Sequence, residues 1–119
     1  MNGLVAKTPD EVNIILKELI TRVQPIFGEK LKRAILFGSY ARGDYDAESD
    51  IDIMFILDED DESIKKYNNV LTKIEVDIDL KYNVVLSSIM QNEARFHKYL
   101  YALPFYTNVN SEGVTLYEQ

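Results

Sequence analysis

GSYARGDYDAESDIDI, residues 38–53, is the stretch on which the reading of this chain turns. It follows Arg33–Phe37 (RAILF), a short apolar run that ends at Gly38 and reads as a buried strand. A glycine at that point lets the backbone turn sharply and approach a ligand, while Ser39 adds a hydroxyl and an amide. One helical turn over Ser39-Tyr40-Ala41-Arg42 would aim its free N–H groups past the strand end, a setting for an anion such as a phosphate. The remainder of Gly38–Glu48 is a loop rich in Gly, Asp and Ser. A second strand, Asp50–Leu57 (DIDIMFIL), then begins with carboxylates that alternate with apolar residues.

Asp50 and Asp52 are two apart on that strand, so their side chains leave from one face. Like charges so close raise each other's pKa when partly buried, and a divalent cation removes the penalty. Hard oxygen ligands with no His or Cys beside them favour Mg²⁺ or Mn²⁺ over zinc. Two such ions ~3.5–4 Å apart would stabilise the attacking and leaving oxygens of a phosphoryl transfer. A second acidic pair, Asp77 and Asp79, falls in Val76–Leu86 (VDIDLKYNVVL), whose strict alternation predicts another strand with one polar face. If it neighbours Asp50–Leu57, either carboxylate would complete a triad as general base or as a ligand.

Outward from this centre, Pro9–Phe27 carries Val12, Ile15, Leu16, Leu19, Ile20 and Val23 on one helical stripe. Thr8, Pro9 and Glu11 supply an N-cap, a proline at N1 and a capping box, and Gly28 is the stop. Asp58–Glu62 reads as a solvated acidic turn and Ser63–Glu75 as a helix. A further helix is expected from Ser87 to about Leu103, where Pro104 breaks it or opens a short helix ending near Gly113. Val114–Tyr117 is a candidate terminal strand. The order predicts an α/β (α+β) domain, a small mixed β-sheet packed with helices, occupying residues 1–119 as a single unit.

The chain has 13 Lys plus Arg against 20 Asp plus Glu, a net charge of -7. Such a balance disfavours direct binding of large nucleic acids, which recruit a basic face. A small phosphate-bearing ligand is still accommodated by local donors and a metal. The absence of cysteine excludes disulfides, thiolate catalysis and Cys-ligated zinc, and fits a cytoplasmic location. No signal peptide or membrane-length apolar run is evident. His97 is the sole histidine and reads as a surface residue of a helix. The tyrosines near the C-terminus read first as core or interface residues, and a partner surface is the other reading.

Gly-Ser, ten residues, then Asp-x-Asp resembles the signature of the DNA polymerase β-like nucleotidyltransferase superfamily. The wider string, with Gly38, Ser39, Ala41, Arg42, Gly43, Ser49, Asp50, Ile51 and Asp52, is similar to its minimal, antitoxin-type members. The likeness extends to the late segment Pro104–Glu118 (PFYTNVNSEGVTLYE). It implies the nucleotidyltransferase fold, with Gly38 and Ser39 holding the terminal phosphates of ATP and Asp50 and Asp52 binding the metals. The third acidic residue would fall at Asp77 or Asp79, with Asp79 the metal ligand by strand alignment. Arg42 has two readings, a phosphate contact or an ion pair to Asp44 or Asp46.

The resemblance further implies transfer of AMP to a tyrosine of a HEPN-type toxin, with this chain as the antitoxin. Its small size leaves little room for an acceptor-binding domain, which suits a protein partner that brings the acceptor. Two other readings stand beside it. One is a non-catalytic module that neutralises a basic partner by contact. The other is a nucleotidyltransferase acting on a small hydroxylated molecule such as an aminoglycoside, whose larger relatives carry an extra helical domain.

Overall fold

The computed structural model describes residues 6–119. Helix α1 (Pro9–Phe27) starts where Thr8 accepts the Glu11 amide at 3.2 Å and the Glu11 carboxylate accepts the Thr8 amide at 2.9 Å. That reciprocal pair satisfies two amides that every helix start leaves unpaired. Val12, Ile15, Leu16, Leu19, Val23 and Phe27 form its buried stripe, while Ile20, expected on it, is only partly buried. Each fully buried side chain of this kind contributes about 1.5–3 kcal/mol. A cap adds about 1 kcal/mol, so packing rather than capping holds the helix.

After a 3₁₀ turn (Gly28–Lys30) come β1 (Leu31–Phe37), α2 (Ser39–Arg42) and β2 (Ile51–Leu57). A short α3 (Asp61–Ile64), opened by the Asp60 side chain accepting the Ser63 amide at 2.8 Å, leads through a 3₁₀ turn into α4 (Asn68–Tyr82). Then follow β3 (Leu86–Asn92), α5 (Glu93–Tyr99), α6 (Pro104–Glu112) and β4 (Val114–Glu118). The sheet order is β3-β2-β1-β4, with β3 parallel to β2 and the other pairings antiparallel.

Alternation along β2 sorts its side chains between two layers. Ile51, Ile53, Phe55 and Leu57 join the core made with α1 and α4. Met54 and Ile56 point the other way, into a smaller cluster with Ile35, Phe96, Leu100 and Val109. Asp52 shares the face of Met54 and Ile56 but stands at the start of the strand, half-buried. Among the described residues, no helix is long and apolar enough to cross a membrane.

Two expectations change. Val76–Leu86 is not a strand: the chain stays helical to Tyr82 and reverses at Asn83, whose φ is 56°. Leu71, Ile74 and Ile78 are buried at spacings of three and four, a helical face that the shorter period-two pattern of the segment conceals. Ser87 does not start a helix either. It lies within β3, and the next helix begins at Glu93, capped by the Asn92 side chain accepting the Arg95 amide at 3.2 Å.

Candidate active site

The site is assembled where β1 ends and β2 and β3 begin. Gly38 leaves β1 with φ 74° and ψ -157°, a backbone state closed to most side chains, and becomes the N-cap of α2. The Gly38 carbonyl accepts the amides of Ala41 and Arg42, each at 3.1 Å. The first amides of the turn, those of Ser39 and Tyr40, lack intrahelical partners by the geometry of any helix start. Gly43, with φ 86°, ends the turn and lets the loop fold back. Asp46 then staples that loop, accepting the Glu48 amide at 2.8 Å and the Ser49 hydroxyl at 3.3 Å.

Asp52 is paired with Phe37 across the β1–β2 ladder, so its carboxylate lies against Gly38. A β-carbon on residue 38 would occupy the space of the Asp52 carboxylate oxygen. Burial, then the Asp50 charge, push the Asp52 pKa up, and Arg42 opposes them. Asp50 is exposed at the mouth of the strand. Of the two readings of Arg42, the ion pair is the one formed in the free chain: its Nε lies 3.3 Å from Asp44 and its Nη1 3.9 Å from Glu112 of α6. Both contacts are exposed and exchangeable, so the guanidinium stays available to an anion.

The second acidic pair is split. Residues 77 and 79 are separated by ~200° around a helix, on opposite sides of it. Asp77 faces α1 and meets Arg22 at 2.8 Å. Asp79 faces the sheet, where its carboxylate accepts the Leu86 amide at 2.9 Å. Burial raises its pKa most, the Leu86 bond lowers it, and the charge of Asp50 raises it. Asp79 is therefore the member of the pair that senses Asp50.

Glu75, one turn earlier on α4, was not singled out by sequence reasoning. Its carboxylate accepts the Ser88 amide at 3.2 Å, and burial foremost raises its pKa, with Asp79 adding to the effect. The signal was present as an i, i+4 carboxylate pair, legible only to a reader who had recognised the helix. Glu75 and Asp79 thus take two outward amides of β3, an edge strand that β2 covers on one side only. In the parallel register Ser87 stands beside Asp52, so the neighbouring strand brings a hydroxyl where a carboxylate was expected.

Among the described residues, no group of three His, Asp or Glu side chains is close enough to hold a metal alone. Mg²⁺ does not require one: it is held by one or two carboxylates and completes its shell with water and substrate phosphate. Asp50 and Asp52, a hard-oxygen pair whose proximity is unfavourable without a cation, fit that ion. His97 is exposed on α5, 3.9 Å from Glu93.

The family model for the nucleotidyltransferase domain matches residues 14–105. A provisionally named protein adenylyltransferase of Methanocaldococcus jannaschii is 39% identical over 102 residues, covering 86% of this chain and 94% of that protein. A second from the same organism, named likewise, is 42% identical over 80 residues, 67% of this chain and 79% of its own. Among solved structures, a provisionally named nucleotidyltransferase from Sulfolobus solfataricus superposes with a TM-score of 0.54 at 22% identity, covering 96% of this chain and 92% of that one. A toxin–antitoxin structure with AMP-PNP gives 0.51 at 18% identity, with coverages of 85% and 72%. At these identities the solved structures speak for the fold alone.

Proposed function

This chain belongs to the nucleotidyltransferase domain family, and from that membership we propose that it moves AMP from ATP onto a tyrosine hydroxyl of a HEPN-type toxin, acting as the antitoxin. One observation carries the nucleotide half of the reading: the Asp52 carboxylate lies against Gly38 at the start of α2, so anion-binding amides and a cation-binding pair share one corner. The acceptor half rests on the relatives named for protein adenylyltransferase activity and on the toxin–antitoxin fold neighbour.

In this reading the Ser39 and Tyr40 amides, the Ser39 hydroxyl and Arg42 hold the β- and γ-phosphates. Asp50, Asp52 and, from the α4 side, Asp79 form the acidic surround in which Mg²⁺ or Mn²⁺ would sit. A bound ion supplies charge neutralisation to the transferring phosphate. The acceptor oxygen bonds to the α-phosphorus as the bond to the bridging oxygen breaks, and pyrophosphate leaves with the electron pair. Asp79, whose pKa burial raises and whose second oxygen is not bonded to Leu86, takes the hydroxyl proton. Asp77, engaged by Arg22, stays out of the chemistry.

The test is incubation with labelled ATP, Mg²⁺ and the product of the neighbouring gene, the toxin of this reading. Label on a toxin tyrosine, lost with Asp50→Ala plus Asp52→Ala, supports the reading. No transfer, or transfer indifferent to that double change, rejects it.

One observation favours a second reading, neutralisation by contact alone: β3 offers Ser87 beside Asp52, and among the described residues no three carboxylates are close enough to hold a metal by themselves. The net charge of -7 suits a basic RNase as partner. Full neutralisation of the toxin by the Asp50/Asp52 double variant would select this reading.

A further inference from the structure

Helix α6 closes one side of the site with side chains that nothing in the transfer reading uses. Between it and the end of β1 lies a hollow of about 250 Å³, bounded by Phe37, Gly38, Arg42, Phe105, Asn108 and Glu112. Whole small-molecule sites run to ~300–1,000 Å³, so this compartment has room for part of a ligand rather than all of it. It opens directly onto Gly38 and Arg42, the residues assigned to phosphate.

Its walls are specific in kind. Phe105 meets Phe37 edge-on at 5.8 Å and Tyr106 at 5.6 Å, yet remains 47% exposed, so about half of the residue's surface is open. Asn108 lies one turn further along the same helix, and its side-chain amide makes no hydrogen bond among the described residues. Glu112 stands another turn on, tied among the described residues by its 3.9 Å contact to Arg42 alone. An aromatic platform, a free donor–acceptor amide and an acceptor-only carboxylate therefore follow one another along α6 at i, i+3/i+4 spacing.

We propose that this hollow is the nucleobase subsite and selects adenine, with the ring stacked on Phe105 and its edge read by Asn108. The inference rests on the proposed transfer of AMP and deepens it. An asparagine amide pairs bidentately with a base edge that offers one amine donor and one ring-nitrogen acceptor, as adenine does. The Glu112 carboxylate accepts but does not donate, so it can take a further hydrogen of an exocyclic amine, while the choice of adenine over guanine rests on the Asn108 pair. A tyrosine ring in the same place would leave Asn108 and Glu112 without partners, because its single hydroxyl belongs at the α-phosphate.

Equilibrium binding of ATP, GTP and inorganic tripolyphosphate to the full chain with Mg²⁺ tests this. The wild type should prefer ATP to GTP and bind both more tightly than tripolyphosphate. Asn108→Ala should shrink the ATP-over-GTP preference by about tenfold. Phe105→Ala should weaken ATP and GTP alike by about tenfold, and neither variant should change tripolyphosphate binding. The control is Asn83→Ala, in the separate hollow lined by Tyr40, Ser49 and Val85, which should leave the preference intact. ATP and tripolyphosphate binding equally well, or selectivity that survives Asn108→Ala or disappears with Asn83→Ala, overturns the subsite and leaves the transfer reading standing. A wild type that binds none of the three overturns both.

Discussion

Gly38 and Asp52 interlock: the turn that ends β1 leaves room for the Asp52 carboxylate only because residue 38 has no β-carbon. The same residue adopts φ 74°, so the glycine is required twice, once by backbone and once by space. Gly38→Ala should cost about 1–3 kcal/mol of stability from the strained backbone. The displaced carboxylate should lower transfer by about 100-fold or more. Thermal melting and label transfer measured on one preparation separate the two effects. A variant that melts low but transfers at the wild-type rate would show that Asp52 does not need this seat.

The carboxylate pair should also be visible in the pH dependence of stability. Burial and Asp50 raise the pKa of Asp52 in the folded chain. The folded state then holds that proton more tightly than the unfolded chain, so the contribution is full at low pH and is lost as pH rises through the raised pKa. Asp52→Asn removes this titration. The melting temperature of the variant should therefore gain on the wild type as pH climbs from the acid side of the carboxylate range, then level off. Saturating Mg²⁺ should close the gap by stabilising the wild type alone. Melting curves that run parallel at every pH would count against the assignment.

Asp77 and Asp79 should separate cleanly. Asp77→Ala removes an exposed ion pair to Arg22, worth about 0–1 kcal/mol, and should leave transfer unchanged. Asp79→Asn keeps an oxygen for the Leu86 amide but loses the base, and should reduce transfer by about 10²–10⁴-fold with the fold intact. Asp79→Ala adds an unpaired Leu86 amide, at about 1–3 kcal/mol. Equal activity in Asp79→Asn and wild type would remove Asp79 from the chemistry.

Gly113 joins α6 to β4, and a β-carbon there would strike the Val109 carbonyl oxygen and the Ile35 side chain. Its φ of -70° is ordinary, so the constraint is packing alone. Gly113→Ala should destabilise by about 1–3 kcal/mol, read as a lower urea midpoint with an unchanged slope. A midpoint within error of wild type would mean that β4 shifts without cost.

Much of this architecture was open to inspection in the bare chain. Thr8, Pro9 and Glu11 announced α1 because capping is local chemistry, and RAILF followed by Gly38 announced β1 and its turn for the same reason. The Pro104 helix and the terminal strand also stand where they were expected. The helix expected over Ser63–Glu75 is present in its later part as α4, and what failed was the continuation of α4 from Val76 to Tyr82 and its consequences. Val76 and Leu80 are apolar yet 48% and 80% exposed, and they supply the false alternation with Asp77, Asp79 and Lys81. Only tertiary contact, with Ile74 and Ile78 set against the sheet, decides between the two periods. β3 was hidden for the opposite reason: LSSIMQN has little apolar alternation, and only Leu86 of its seven residues is buried.

The sheet order sets a timetable as well as a shape. β1 and β2 close across residues 38–50, whereas β2 and β3 are separated by residues 58–85, and β1 waits for β4 until residue 114. Closure costs more, and comes later, the longer the intervening chain. Gly38 and Asp52 meet through the nearest pairing, while the local Asp79–Leu86 contact reaches them only when Leu86 pairs with Ile51 of β2. Pulse-labelled hydrogen exchange should therefore find β1 and β2 protected before β3. A molecule caught part-way through folding would already have Gly38 and Asp52 seated together and would still lack Asp79 beside them.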